Sequence, residues 1–450
     1  MLDGCTPWPE EFTDRYWMAG HWQGYTLDDL LRGWAVRYGP RTAVVGGDTR
    51  LTYAQLNRRA DRMAAGFRLR GLRPGQRVIV QLPNVPEFVV TVFALIRAGA
   101  VPVLCPVSYG AGGVSRLVRV SEAVGWVVPP EYRGVDLAAT AAQIAAEGPF
   151  LRRVFTYEAP GASSPYGGMT IDPAGCHSYP LGSIDAPPEP ATALGAGQVA
   201  LLLLAGGAGE APALVPRTHN DYACQARAAA EAVSLTEDDV YLAALPAAVN
   251  LAFGCPGILG TLSVGGTVVM VEDLDPAACL AAVARERVTV ASLLPETARA
   301  WRDAGAAVRA EAGSLRLVQI GGAPEDPVAT EPVPALGCAT QRIVDLAEGL
   351  VTTAGPTGPG EPVPTTYGRP LSPGDELRVV DRDGRDAADG RPGELLARGP
   401  HIVRGYYRTP DRTARSFTPD GYFRTGLLAA RTPGGEVTVV GRLAEASVRR

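Results

Sequence analysis

Residues 203–222 read "LLAGGAGEAPALVPRTHNDY". A strand, "VALLLLA" (199–205), runs straight into a glycine-rich turn, and a second apolar run leads to His219. Strand followed by a glycine-rich turn is the layout of a phosphate-binding loop, whose backbone N–H groups and positive charge face the phosphates. This turn has the glycines but neither a hydroxyl nor a cation between Ala205 and Ala213, and Glu210 adds a negative charge.

Outward from this turn the chain alternates helix and strand signals. "TLDDLLRGWAVRYG" (26–39) has apolar residues at helical spacing. "LTYAQLNRRADRMAAGFRLRGL" (51–72) offers Thr52 as an N-cap and Gly71 near its end. "RVIVQLP" (77–83) reads as a strand, Glu87 to Ala98 as a helix and "VPVLCPV" (101–107) as a strand. Short joints between them argue for a parallel sheet with crossover helices. Residues 156–198, rich in Gly, Pro, Ser and Ala, read as a linker or long surface loop. "GTVVMV" (266–271) and "LRLVQIGG" (315–322) read as further buried strands. From about 352 the turns crowd, and "DELRVVDRDG", "GELLARG" and "GGEVTVVGR" predict a small antiparallel barrel. The expected division is 1–190 as a first α/β subdomain, 191–350 as a second, 351–445 as the barrel and 446–450 as the remnant of a hinge.

Composition narrows the function classes. The 450 residues are 46% hydrophobic with a formal net charge of −5, which fits a globular chain and gives no electrostatic reason to bind nucleic acid or an anionic membrane. No apolar run reaches the length of a membrane span, and "MLDGCTPWPEEF" has no signal-peptide pattern, so a cytoplasmic protein is expected. The seven cysteines are scattered without a CxxC pair, as in a reducing compartment. The four histidines are too far apart in sequence to form a metal-ligand spacing. All 42 cationic residues are arginine, which a GC-rich coding sequence suffices to explain. No step can then use a lysine from this sequence as a point charge or nucleophile, and the planar guanidinium is no simple substitute.

Ten stretches now stand in a telling order: "PWPEEF", "LTYAQLNRRAD", "QLPNVPEF", "PRTHNDY", "LPAAVN", "GGTVV", "QIGGA", "AEGLV", "RGPHIVRGYY" and "DGYFRTG". In them the chain resembles the adenylate-forming superfamily, in particular the aryl acid–AMP ligases that activate salicylate or 2,3-dihydroxybenzoate. The resemblance implies an α/β fold, with a large N-terminal domain of two β-sheets layered with helices plus a small β-barrel. It implies an acyl-adenylate made from ATP and an aromatic acid, then transfer of the acyl group to a carrier-protein thiol. A further lid domain that supplies a catalytic lysine normally follows a hinge. Here the hinge position falls at about Glu445, so the lid is expected to be absent.

Matched position by position, the nucleotide side has departed from the family. The family's Ser-Gly-Gly-Thr-Thr-Gly-Thr-Pro-Lys stands here as 205–213, with Ala208, Glu210 and Ala213 among the replacements. Each charge-assisted hydrogen bond lost is worth about 1.5–3 kcal/mol. The ribose-binding Thr-Gly-Asp is Thr425-Gly426-Leu427, and an aromatic-Gly pair beside the adenine is Val344-Asp345. Glu348 matches a magnesium-associated glutamate and Arg442 a ribose-contacting arginine, either of which packing alone could retain. ATP and magnesium binding are therefore expected to be lost, with no resident metal.

The acid side has departed less. Val249 replaces a histidine, but Asn250 matches the asparagine that in relatives bonds the hydroxyl ortho to the carboxylate. Cys255 occupies a position that is Ser in dihydroxybenzoate enzymes and often Cys in salicylate ones. Gly321, Gly322 and Ala323 match the small residues that admit a flat ring. His219, Tyr222 and Glu348 are candidates for proton transfer, though no partner is visible in the sequence. Three readings follow. The chain binds an aromatic acid or aryl-acyl group without adenylating it, with ATP-independent acyl transfer or cyclisation conceivable. Alternatively it is a scaffold that docks an aryl carrier protein or a partner ligase. Alternatively it is a working ligase with an unusual ATP site.

Overall fold

A computed structural model describes residues 2–158, 170–171, 175–190, 193–206, 213–303, 312–321, 336–358, 361 and 366–443. The chain divides into two units. The first comprises Met1–Cys5, Gly24–Asn220 and Pro246–Val249, and the second Thr6–Gln23, Asp221–Leu245 and Asn250–Arg450.

The first unit is built on a mixed sheet. From one edge its strands are Ala213–Thr218, Val199–Ala205, Val101–Leu104, Arg77–Val80, Gly125–Val128, Arg153–Thr156, His177–Pro180 and Thr170–Ile171. The six inner strands run parallel, and the two outermost are antiparallel to their neighbours. Val78, Ile79, Val80, Val103 and Leu104 are fully buried, the pattern of strands covered on both faces. The expected helix at 51–72 forms as Tyr53–Leu69. Thr52 Oγ1 accepts from Gln55 N–H at 3.2 Å, while the Gln55 side chain accepts from Thr52 N–H at 2.8 Å. Helix Pro86–Arg97 ends on a buried guanidinium. Arg97 pairs with Asp28, with Asp61 at 2.8 Å, and donates to the Asn57 carbonyl at 2.9 Å.

One expectation in this unit is corrected. Residues 156–198, expected as a linker or long surface loop, contain the strand His177–Pro180, which joins the sheet in parallel with Arg153–Thr156. Residues 184–185 pass so close to Gly66 that a β-carbon there would lie 2.6 Å from Asp185 N. Glycine is needed at 66 because two backbones meet, and the passing segment is packed rather than free.

In the second unit the strands run in the order Arg369–Pro370, Val351–Thr353, Ala339–Asp345, Leu317–Ile320, Val290–Leu293, Val240–Ala243 and Thr267–Met270. The last five are parallel, and helices Gly257–Ser263, Pro276–Glu286 and Pro295–Asp303 stand in the connections between them. Leu242, Val269, Val283, Ala291, Trp301 and Val318 form one apolar core. A second cluster joins Trp8, Phe12, Tyr16, Trp22 and Cys224, where the Trp22 indole N–H donates to the Pro400 carbonyl at 2.8 Å. The strands expected beyond 352 form, but not as a closed barrel among the described residues. Glu376–Val380, Gly393–Arg398, Phe423–Arg431 and Val437–Arg442 pair as an antiparallel meander with the first and last strands as its edges. All seven cysteines are free and six are buried. No described helix is long and apolar enough to cross a membrane.

Candidate functional site

In a sheet of parallel strands, binding groups collect beyond the C-terminal ends of the strands. In the second unit those ends are Ala243, Met270, Leu293, Ile320 and Asp345. Side chains alternate along Ala339–Asp345, so Gln341, Ile343 and Asp345 share one face and Arg342 and Val344 the other. Arg342 turns to Tyr367, stacking at 3.9 Å from the ring centroid. Asp345 turns to Asn250.

Asn250 opens the short helix Asn250–Gly254 and is buried. Its Oδ1 accepts from the Tyr222 hydroxyl at 3.0 Å and from Gln225 Nε2 at 3.1 Å. Its Nδ2 donates to Asp345 Oδ1 at 2.5 Å and lies 3.4 Å from the Leu346 carbonyl. Tyr222 and Gln225 reach it together because they sit three residues apart on helix His219–Ala232. Gln225 Nε2 also approaches Cys255 Sγ at 3.3 Å and the Gly254 carbonyl at 3.2 Å. Tyr222 is fully buried, stacked at 22° on Phe253 and so close to Gly254 that a β-carbon there would meet its ring at 2.8 Å. Sequence reading missed Gln225, which carries no motif. Asp345, matched by sequence to the adenine-side pair, accepts from the Asn250 amide.

Gly321, the first of the three small residues, is closely packed. A β-carbon on Gly321 would lie 2.4 Å from Leu251 Cδ2 and 3.3 Å from Ile343 Cγ2. Gly322 and Ala323 lie outside the described residues, as do Ala208 and Glu210 of the phosphate loop and the hinge position Glu445.

The other matched positions are committed to structure. Ala213 is buried and pairs with Ala205 across two strands of the first unit. Val344 is buried opposite Thr352. Leu427 is fully buried in the meander, opposite Arg442. Glu348 is buried, and its Oε1 accepts from the Tyr406 hydroxyl at 2.6 Å. That carboxylate has the hard oxygen donors magnesium prefers, but one oxygen already serves the tyrosine.

In the first unit, Val249 is half-buried and its N–H donates to the Pro246 carbonyl at 3.0 Å. His219 is buried, and its Nδ1 accepts from the Leu27 N–H at 3.1 Å. That bond fixes the proton on Nε2 and caps helix Leu27–Arg37. Burial lowers its pKa to about 4, against a smaller opposing pull from Asp29. The proton-transfer candidates are thus each tied into a structural bond: His219 to Leu27, Tyr222 to Asn250 and Glu348 to Tyr406.

Comparison with known proteins places this geometry. The family described as AMP-binding enzyme matches residues 31–407. Triostin synthetase I of Streptomyces triostinicus is 42% identical over 98% of this chain and 80% of its own length. The 2,3-dihydroxybenzoate-AMP ligase of Bacillus subtilis is 38% identical over 98% of this chain and 79% of its own length. The salicyl-AMP ligase / salicyl-S-ArCP synthetase of Mycobacterium tuberculosis is 39% identical over 100% of this chain and 78% of its own length. Among solved structures, the apo structure of MbtA from Mycobacterium smegmatis superposes with a TM-score of 0.85 at 39% identity, covering 98% of this chain and 80% of that one. The α/β fold, the order of motifs and these relatives together make the chain a member of the AMP-binding enzyme family of the adenylate-forming superfamily, with aryl acid–AMP ligases among its homologues.

Proposed function

We propose that this chain binds an aromatic acid or aryl-acyl group and does not adenylate it. The observation that carries the proposal is Leu427. The ribose-binding position of the family motif holds an aliphatic side chain that is fully buried within a sheet. A leucine cannot accept a hydrogen bond from a ribose hydroxyl. Three further features point the same way. Val344, at the aromatic position of the adenine-side pair, offers no stacking surface. The phosphate loop has lost its hydroxyls and its cation. On this reading the chain needs neither ATP nor magnesium.

The relatives' names supply the ligand class, since they describe ligases of salicylate and 2,3-dihydroxybenzoate. One is named for an aryl carrier protein product, and a carrier of that kind is the partner this reading expects. Chemistry without ATP would be acyl transfer or cyclisation of a group activated elsewhere. None of His219, Tyr222 and Glu348 is assigned as the base, because each is held in a structural bond.

A working ligase is the competing reading, favoured by identities of 38–39% to named aryl acid–AMP ligases. ATP–pyrophosphate exchange with salicylate decides between them. Exchange at background level at high protein concentration is expected. Saturable exchange above background would return the chain to the ligases.

A further inference from the structure

We propose that the first unit carries a small-molecule site of its own, a cleft at the N-terminal ends of its parallel strands that binds an uncharged, largely apolar molecule through a carbonyl oxygen held by His219 Nε2–H. The cleft includes none of the nucleotide or aryl positions named above and does not depend on the reading given to them.

The cleft has a volume of about 320 Å³. Small-molecule sites run from roughly 300 to 1,000 Å³, so it suits a small ligand. Segments 74–75, 99–101 and 198–200 line it, where the chain enters strands Arg77–Val80, Val101–Leu104 and Val199–Ala205. These strands run parallel, so the cleft lies at the end of the sheet opposite their C-terminal ends. Ile96, Val101 and Val199 are buried and give it apolar walls. No charged side chain is among its described lining residues.

His219 is 2% exposed and reaches the cleft from the start of helix His219–Ala232. Its Nδ1 accepts from the Leu27 N–H at 3.1 Å, so the proton of the neutral ring sits on Nε2, which can then only donate. Nε2 has no hydrogen-bond partner among the described residues, and it is not one of their fully enclosed polar atoms. The open space beside the ring is this cleft. Burial lowers the ring's pKa to about 4, so the donor is uncharged at pH 7. A carbonyl oxygen supplies the acceptor this N–H needs. A carboxylate would supply one too, but it would leave water for an apolar wall with no cation to meet it.

Cyclohexyl methyl ketone and cyclohexanecarboxylate are similar in size and differ in charge. Calorimetric titration of each into the whole chain at pH 7 tests the site. The ketone is expected to bind saturably, about tenfold or more tighter than the carboxylate. It should also move the Nε2 resonance of His219 in NMR spectra of protein with isotope-labelled histidines. His219→Asn keeps an acceptor where Nδ1 stood and withdraws the donor, and should weaken ketone binding about three- to tenfold. Ala193→Trp, at an exposed residue of the lining, fills the cleft from outside and should abolish binding. No saturable ketone binding, carboxylate binding as tight, an unmoved His219 resonance, or a ketone affinity unchanged in either variant overturns the proposal.

Discussion

Leu251 Cδ2 stands 2.4 Å from where a β-carbon on Gly321 would be. The leucine occupies the space that the missing side chain leaves, so the two residues are coupled. Gly321→Ala should overpack this spot and destabilise the protein by about 1–3 kcal/mol. Leu251→Ala alone should cost about 2–5 kcal/mol, since that leucine is buried. The double variant should be more stable than the sum of the two losses, with a coupling of about 0.5–3 kcal/mol. Urea unfolding of the four proteins measures it. Strict additivity would show that the contact carries no energy.

Leu427→Asp restores the family's letter at the ribose position but not its setting. The leucine is fully buried, and an unpartnered carboxylate there must be desolvated. A lowered melting temperature is expected, with no gain in ATP binding by calorimetry. A variant that melts normally and binds ATP would show that one side chain, rather than the whole nucleotide side, had been lost.

Arg97 is buried with its guanidinium on Asp28 and Asp61. Removing Asp28 leaves the buried guanidinium with Asp61 as its remaining carboxylate and one N–H without its partner. Asp28→Ala should therefore cost about 3–5 kcal/mol of stability, far more than an exposed pair. Arg378 with Asp386 is an exposed pair for comparison, where Asp386→Ala should cost about 1 kcal/mol or less. Similar losses at the two sites, by chemical unfolding, would contradict the buried network.

Burial holds the pKa of His219 down at about 4. An exposed histidine titrates near 6.5, so the unfolded chain takes up the proton first. Stability from this group is complete above about pH 6.5 and is lost as pH falls toward 4, by an amount on the order of 3 kcal/mol. His219→Gln keeps an acceptor for the Leu27 N–H and does not titrate. Its unfolding free energy should fall less than that of the unaltered chain between pH 7 and pH 4.5. Parallel pH profiles would show that the ring is not held neutral in the fold.

The sequence was legible where structure is local. Thr52 and Gln55 lie three residues apart, and their capping box begins the helix where the letters place it. Val78, Ile79 and Val80 form an apolar run bounded by turns, and the strand follows. His177–Pro180 was not legible, because "HSYP" has no apolar alternation and its pairing with Arg153–Thr156 depends on the folded sheet. The barrel expected after residue 352 depended on closure, a long-range pairing that strand letters do not encode. At the site the same divide holds. Asn250 and Cys255 could be picked out by motif, but Asp345 is 95 residues from Asn250, and only the fold brings its carboxylate to the amide. Gln225 gave no signal at all, since a glutamine on a helix reads as an ordinary polar residue.

On the proposed function, this chain keeps the fold and has lost the nucleotide site. Calorimetric titration of the protein with ATP–Mg²⁺ tests it most directly. No saturable heat at millimolar nucleotide is the expected result. Saturable binding at micromolar to sub-millimolar ATP would contradict the claim and make the working ligase the better account.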